Sequence, residues 1–174
     1  MNILALSGSL RRSSLNSMLL RAAARLAPAD IRVELYPSLA AIPLFNPDLD
    51  PEGFAPVSAL RAGIVSCEAV LIASPEYARG VSGVMKNALD WMVGNESFVD
   101  KPVGLLNTSA RATVAYAALQ ETLITMSARV IPAACVTVAL LGPGLDEDAI
   151  VHNPLLSAAV RGALSALADA AGSF

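Results

Sequence analysis

The sequence predicts an α/β three-layer sandwich built on a five-stranded parallel sheet of order 2-1-3-4-5. Short apolar runs of strand length alternate with stretches of helical spacing along the chain. Two of these runs, Ile3–Leu6 and Ala69–Ala73, are continuously apolar, as strands covered on both faces are. Five strand–helix repeats also fit a sheet that reverses direction between its first and third strands better than a six-stranded dinucleotide fold.

Each element follows in order. The first strand, Ile3–Leu6, ends at Ser7-Gly8. Apolar residues then recur at Leu15, Leu19, Ala22 and Leu26, and Pro28 closes this first helix. Arg32–Leu35 alternates polar and apolar residues, which suits a second strand at the sheet edge. Pro37, Pro43, Pro47, Pro51 and Pro56 mark a long loop. Val57, Leu60 and Ile64 make a second helix, and Ala69–Ala73 is the third strand. Met85, Ala88, Leu89 and Met92 give a third helix, and Val103–Leu106 a fourth strand. Tyr116, Leu119, Leu123 and Met126 give a fourth helix, and Val136–Leu141 contains the fifth strand. Leu156, Val160, Ala163 and Leu167 form one stripe of a C-terminal helix.

With 174 residues and no repeat or linker, the chain reads as a single domain, 1–174. Hydrophobic residues reach 55%, but much of the excess is alanine and the apolar runs are too short to span a bilayer. The first residues carry no basic region ahead of an apolar one, so they do not read as a signal peptide. A net charge of −3, with lysine only at Lys86 and Lys101, leaves no electrostatic footprint for nucleic acid. Cys67 and Cys135 are read as free, buried thiols in a reducing compartment, which places the protein in the cytoplasm.

Ligands in such sheets bind beyond the carboxyl ends of the strands, at the switch point between strands 1 and 3. The loop there reads Ser7-Gly8-Ser9-Leu10-Arg11-Arg12-Ser13-Ser14-Leu15-Asn16-Ser17 and leads into a helix, whose free N–H groups and dipole favour an anion. Gly8 permits a tight turn, the short polar side chains add donors, and Arg11 or Arg12 supplies a fork to phosphate oxygens. The loop has neither G-x-G-x-x-G nor Walker A spacing, so a phosphate monoester suits it better than a pyrophosphate.

The loop after strand 3 reads Ser74-Pro75-Glu76-Tyr77-Ala78-Arg79-Gly80-Val81-Ser82-Gly83. Pro75 favours a defined turn, and Tyr77 offers a flat face to an aromatic ligand. The N–H groups from Tyr77 to Gly80 can address a heterocycle edge, while Glu76 has a structural or hydrogen-bonding role.

Gly8 to Asn16 resembles the G-S-x-R-x-x-S-x-N loop of the NAD(P)H-dependent FMN reductase family. Pro75-Glu76-Tyr77 with Gly83 and Lys86-Asn87-Ala88-Leu89-Asp90-Trp91 resembles that family's P-E-Y-N…P-G…K-N-A-[IL]-D-W signature. The resemblance implies a flavodoxin-like fold that binds FMN and passes electrons from NADPH or NADH to a small acceptor: a quinone, a free flavin, chromate or an azo compound. It implies FMN phosphate and ribityl contacts at Ser9, Arg11, Ser14, Asn16 and Ser17, and an isoalloxazine border at Pro75, Glu76 and Tyr77; Ala78 and Gly80 join the candidate set through their backbone N–H groups alone. The flavin carries the chemistry, so no catalytic side chain is assigned. The third helix contributes to a family dimer interface, and a homodimer or homotetramer is expected.

The chain departs from the family at Ala78, which replaces an asparagine, and at Ser82, which replaces a proline. After strand 4 it has Asn107-Thr108-Ser109-Ala110-Arg111-Ala112-Thr113 in place of a glycine-rich loop; Thr108 and Ser109 still suit a flavin contact. Arg79 and Arg111 are candidates for the phosphates of the nicotinamide cofactor. His152, the single histidine, is expected in a loop before the last helix and supports no metal site, and Asp146-Glu147-Asp148 reads as the start of a helix. A flavodoxin-type electron carrier and a non-catalytic FMN-binding regulatory module are the alternatives.

Overall fold

The inner strands form where apolar residues run without interruption, and each strand sends alternate side chains into two separate cores. In the computed structural model, which describes residues 1–140 and 145–172, Leu4 and Leu6 of β1 (Asn2–Ser7) enter one core while Ile3 and Ala5 enter the other. β3 (Ala69–Ala73) is buried throughout and divides in the same way, with Val70 and Ile72 opposite Ala69 and Leu71. β2 (Arg32–Leu35) stands at the edge, as its alternation requires. β6 (Pro102–Asn107) and β7 (Arg129–Thr137) complete a five-stranded sheet of order β2-β1-β3-β6-β7 with every pair parallel. This is the predicted 2-1-3-4-5 order and the flavodoxin-like fold.

Helices α1 (Leu15–Leu26), α5 (Glu147–His152) and α6 (Pro154–Ala171) cover one face. Helices α2 (Ala55–Ser66), α3 (Gly83–Met92) and α4 (Val114–Thr125) cover the other. Most of the expected stripe positions are buried: Leu19, Ala22 and Leu26 on α1, Val57, Leu60 and Ile64 on α2, and Val160, Ala163 and Leu167 on α6; Leu15, expected to start the α1 stripe, is exposed instead, and Leu156 is half-buried. Each fully buried leucine or isoleucine contributes about 1.5–3 kcal/mol.

Four sequence expectations change. The fifth strand is β7, which starts at Arg129 and ends at Thr137; it overlaps Val136–Leu141 at two residues only, and Leu141 lies outside the described residues. Pro132 hid it, yet an edge strand tolerates proline, and a bulge absorbs it: Val103 pairs with Val130 but Leu105 with Cys135. Ala134, returning from the bulge, packs on Gly104, where an added Cβ would stand 3.0 Å from Ala134 Cβ. The segment after β3 is a hairpin, β4 (Glu76–Tyr77) with β5 (Gly80–Val81), and not a simple turn into α3. His152 closes α5, its ring Nδ1 against the Asp148 carbonyl, and does not lie in a loop. Cys67 is buried, but Cys135 on the edge strand is only half-buried.

The long loop between β2 and α2 holds two short 3-10 turns, Leu39–Ala41 and Pro51–Gly53. Helix α3 anchors it. Trp91 Nε1 and Asn87 Nδ2 both donate to the Pro43 carbonyl, at 2.8 and 2.9 Å, and Phe45 N–H donates to Asn87 Oδ1 at 2.8 Å. The Phe45 ring meets Trp91 edge to face with centroids 5.3 Å apart. Among the described residues no helix is long and apolar enough to cross a membrane.

Candidate functional site

At the carboxyl ends of β1, β3 and β6, three loops converge. Gly8 makes the convergence possible: its N–H donates to the Ala73 carbonyl at 2.9 Å, and a Cβ there would stand 2.3 Å from Ser74 Oγ and 2.9 Å from Ser82 Oγ. Close approach of the third-strand loop, more than turn geometry, is what requires glycine at this position. Ser74 and Ser82 hydroxyls share a hydrogen bond at 3.3 Å, and Ser82 also caps α3 by accepting from Met85 N–H.

The loop after β1 is held by its own hydroxyls. Ser14, buried, is the N-cap of α1 and accepts from Ser17 N–H at 3.2 Å. Ser17 and Ser7 hydroxyls meet at 2.7 Å, and Ser9 Oγ accepts from Arg11 N–H at 3.4 Å. Among the described residues, no acceptor meets the N–H groups of Arg12, Ser13, Leu15 and Asn16. They are the free donors of a helix start, ready for an anion.

The loop divides two cavities. One, of about 270 Å³, lies over β3 and β6 and is lined by Asn16, Pro75, Glu76, Thr108, Ser109 and Arg111, among others. The other, of about 340 Å³, lies over β1 and β2 and is lined by Ser9, Arg11, Arg12 and Ser17 with the segment after β2. The predicted residues thus separate: Asn16, Pro75, Glu76 and Ser109 share the first cavity, and Ser9, Arg11 and Ser17 share the second. Tyr77, 54% exposed, stands on the hairpin, as do Ala78 and Gly80, and none of the three lines either cavity.

Within the first cavity Asn16 is buried, and its Oδ1 accepts from Thr108 Oγ1 at 3.4 Å. This leaves its Nδ2 donors at the wall with no protein acceptor among the described residues. Glu76 Oε2 accepts from Ala115 N–H at 2.9 Å, in the first turn of α4, which is the structural role the sequence suggested. Asn107 Oδ1 accepts from Ser109 N–H at 3.1 Å, and Ser109 Oγ from Arg111 N–H at 3.3 Å. Ser74 and Asn107 also line this cavity, and sequence reasoning did not select them. Each sits at the carboxyl end of a strand, and that position alone was the available signal.

The hairpin tip is held in an uncommon conformation, with φ of 48° at Ala78 and 59° at Arg79. Two left-handed residues make the tight turn that fits strand twist, and alanine and arginine adopt it at a cost. Among the described residues, no group of three His, Cys, Asp or Glu side chains is placed to hold a metal.

Residues 1–140 match the family described as NADPH-dependent FMN reductase. The chain belongs to this family. A quinone reductase from Escherichia coli (strain K12) is 39% identical over 124 residues, 69% of this chain and 65% of that protein. An NAD(P)H-dependent FMN reductase from Pseudomonas aeruginosa is 40% identical over 111 residues, 62% of this chain and 60% of that one. The matched stretch therefore spans less than two thirds of either relative. The flavoenzyme NAD(P)H:(acceptor) oxidoreductase FerB from Paracoccus denitrificans has the same fold, with a TM-score of 0.78 at 26% identity over 98% of this chain and 97% of that one.

Proposed function

We propose that this family member is an FMN-dependent NAD(P)H oxidoreductase that reduces a small acceptor, with quinones the acceptor class its relatives' names favour. In that reaction NAD(P)H and one proton reduce a quinone to its hydroquinone and leave NAD(P)⁺. The observation that carries the reading is the free row of N–H groups at the start of α1 beside a cavity walled by Asn16, Thr108 and Pro75. These residues fit FMN: the donors suit a phosphate, and the buried Asn16 amide suits a polar ribityl or ring edge.

FMN, when bound, supplies hydride acceptance and electron donation. The chain supplies the rest. The α1 N–H groups and Arg11, whose guanidinium meets no carboxylate among the described residues, hold the phosphate. Asn16, Ser109 and Pro75 orient the ring, and the Glu76–Ala115 bond fixes the loop that borders it. Tyr77, Ala78 and Gly80 continue from Pro75 and Glu76 on the hairpin, outside the lining of the cavity. The chain works in the cytoplasm as a homodimer or homotetramer; exposed Leu44, Phe45 and Val93 around the end of α3 support a contact between copies.

The test is the flavin content and turnover of the purified protein. A yellow protein that oxidises NAD(P)H with a quinone is expected, and Arg11→Ala should weaken FMN binding about tenfold or more. Flavin retention by Arg11→Ala equal to the parent sinks the phosphate-loop assignment. Flavin bound without NAD(P)H consumption, on any acceptor, leaves a binding module and not an enzyme.

A further inference from the structure

The cavity over β3 and β6 changes character from floor to rim. Asn16, Asn107 and Thr108 are buried in its wall and carry no charge. Among the described residues only two ionisable side chains line it, Glu76 and Arg111. Glu76 is committed to the Ala115 N–H at the start of α4. Arg111 is exposed, and its guanidinium meets neither a carboxylate nor a backbone carbonyl among the described residues. The loop that carries it is held by its own bonds. Asn107 Nδ2 donates to the Ala112 carbonyl at 3.3 Å, Ala112 N–H to the Ser109 carbonyl at 3.0 Å, and Arg111 N–H to Ser109 Oγ at 3.3 Å. No glycine loosens this turn, so the Arg111 side chain starts from a set backbone at the rim. A strong cation on a braced loop, left without a partner in a chain of net charge −3, suits an anion that arrives from solvent.

We propose that Arg111 selects the electron acceptor, favouring quinones that carry an ionised acidic substituent, a carboxylate or an ionised hydroxyl, over neutral ones. The buried, neutral wall suits FMN, so the exposed side is left to the molecules that exchange. Arg111 shares one cavity with Asn16 and Pro75, the residues read as orienting the flavin ring, so the anion it meets lies close to a reacting ring. An acidic quinone carries its charge on or beside that ring. A nicotinamide donor carries its phosphates on a chain that leads away from it, and for this reason the cavity wall assigns Arg111 to the acceptor and not, as the sequence suggested, to the donor's phosphates. The planar guanidinium can take two oxygens of a carboxylate at once, so geometry adds to charge. Pro75 and Ala112 supply apolar surface for the quinone ring itself. The acceptor's charge is not consumed: NAD(P)H and one proton turn the two ring carbonyls into hydroxyls and leave NAD(P)⁺, while the acidic substituent takes no part.

The proposal rests on the flavin reading above, and the experiment separates the two. Calorimetry of the FMN-loaded protein, without nicotinamide, uses two ligands that cannot be reduced as quinones, 2-naphthoate and its neutral counterpart 2-naphthamide. The naphthoate should bind about tenfold tighter, the worth of one charged hydrogen-bonded contact. Arg111→Ala should remove that preference, and Arg111→Lys, which keeps the charge but not the fork, should retain part of it. In turnover, Arg111→Ala should raise KM for ionised 2-hydroxy-1,4-naphthoquinone about tenfold and leave KM for neutral 2-methyl-1,4-naphthoquinone, KM for NADPH and the Kd for FMN unchanged. Equal binding of the two naphthyl ligands, or binding of neither, overturns the proposal. So does a preference that survives Arg111→Ala. A raised KM for NADPH gives the arginine to the donor, and a raised Kd for FMN gives it to the flavin; either result also overturns the proposal. A protein that binds no FMN overturns the earlier reading instead, and the same two ligands, titrated into that protein and its Arg111→Ala variant, still decide this one.

Discussion

The Glu76 carboxylate accepts the Ala115 N–H at 2.9 Å, across 39 residues, and so ties the loop after β3 to the first turn of α4. Thr113 precedes that helix without a side-chain cap, so Glu76 does from a distance what an N-cap residue does locally. Replacing Glu76 with alanine should cost about 1–2 kcal/mol, read as a lowered Tm, and should weaken FMN binding by loosening Pro75. An unchanged Tm argues against the tie.

Gly8→Ala should be the most damaging small change at the rim. Its Cβ would stand 2.3 Å from Ser74 Oγ, beside the Gly8–Ala73 backbone bond. The rim must part, at a cost of about 1–3 kcal/mol. Chemical denaturation measures that cost, and flavin titration should show a parallel loss of affinity.

The hairpin tip offers the opposite outcome. Ala78 holds a φ of 48°, which asparagine tolerates better than alanine. Ala78→Asn should stabilise the protein by about 0.5–1 kcal/mol and raise Tm by about 1–4 °C. A lowered Tm counts against the left-handed turn.

Glu68 predicts a pH dependence. Its carboxylate accepts the Asn2 N–H at 2.7 Å, and this bond holds its pKa below the usual carboxylate range. A depressed acid stabilises the fold above its unfolded pKa of about 4.3 and loses that contribution as pH falls through the folded value. Because Glu68 is exposed, Glu68→Gln should cost about 0.5 kcal/mol or less at pH 7, and the difference from the parent should be smaller at pH 3. Thermal melts at the two pH values check it.

Burial pushes the Cys67 thiol pKa up, with Lys101 acting weakly against it. Cys67 should therefore resist a thiol reagent at pH 8 until the protein is denatured. Rapid labelling of Cys67 in the native protein would contradict its burial.

The fold was legible wherever one cause dominated. Ala69–Ala73 is a strand at its predicted limits because apolar continuity and flanking breaks agree. β7 was hidden because Pro132 reads as a break, and only the sheet edge and the bulge make it harmless. The Glu76–Tyr77 hairpin was hidden because its tip, Ala78-Arg79, lacks the Asn-Gly chemistry that announces such a turn. In the site, the loop after β1 declared itself through glycine and serine spacing. Ser74 and Asn107 did not, since their role comes only from where their strands end. Nor does spacing tell that Ser9 and Asn16 face different cavities, because a loop's two sides are not distinguished by sequence.

The proline-rich stretch after β2 contributes little to its own restraint. A single oxygen, that of Pro43, receives both Trp91 and Asn87, so the tether of the whole stretch is a property of α3. Leu39 and Ala40, which wall the larger cavity, hang from that tether. Whatever grips α3, a second copy of the chain included, thereby sets the shape of a chamber that it does not touch.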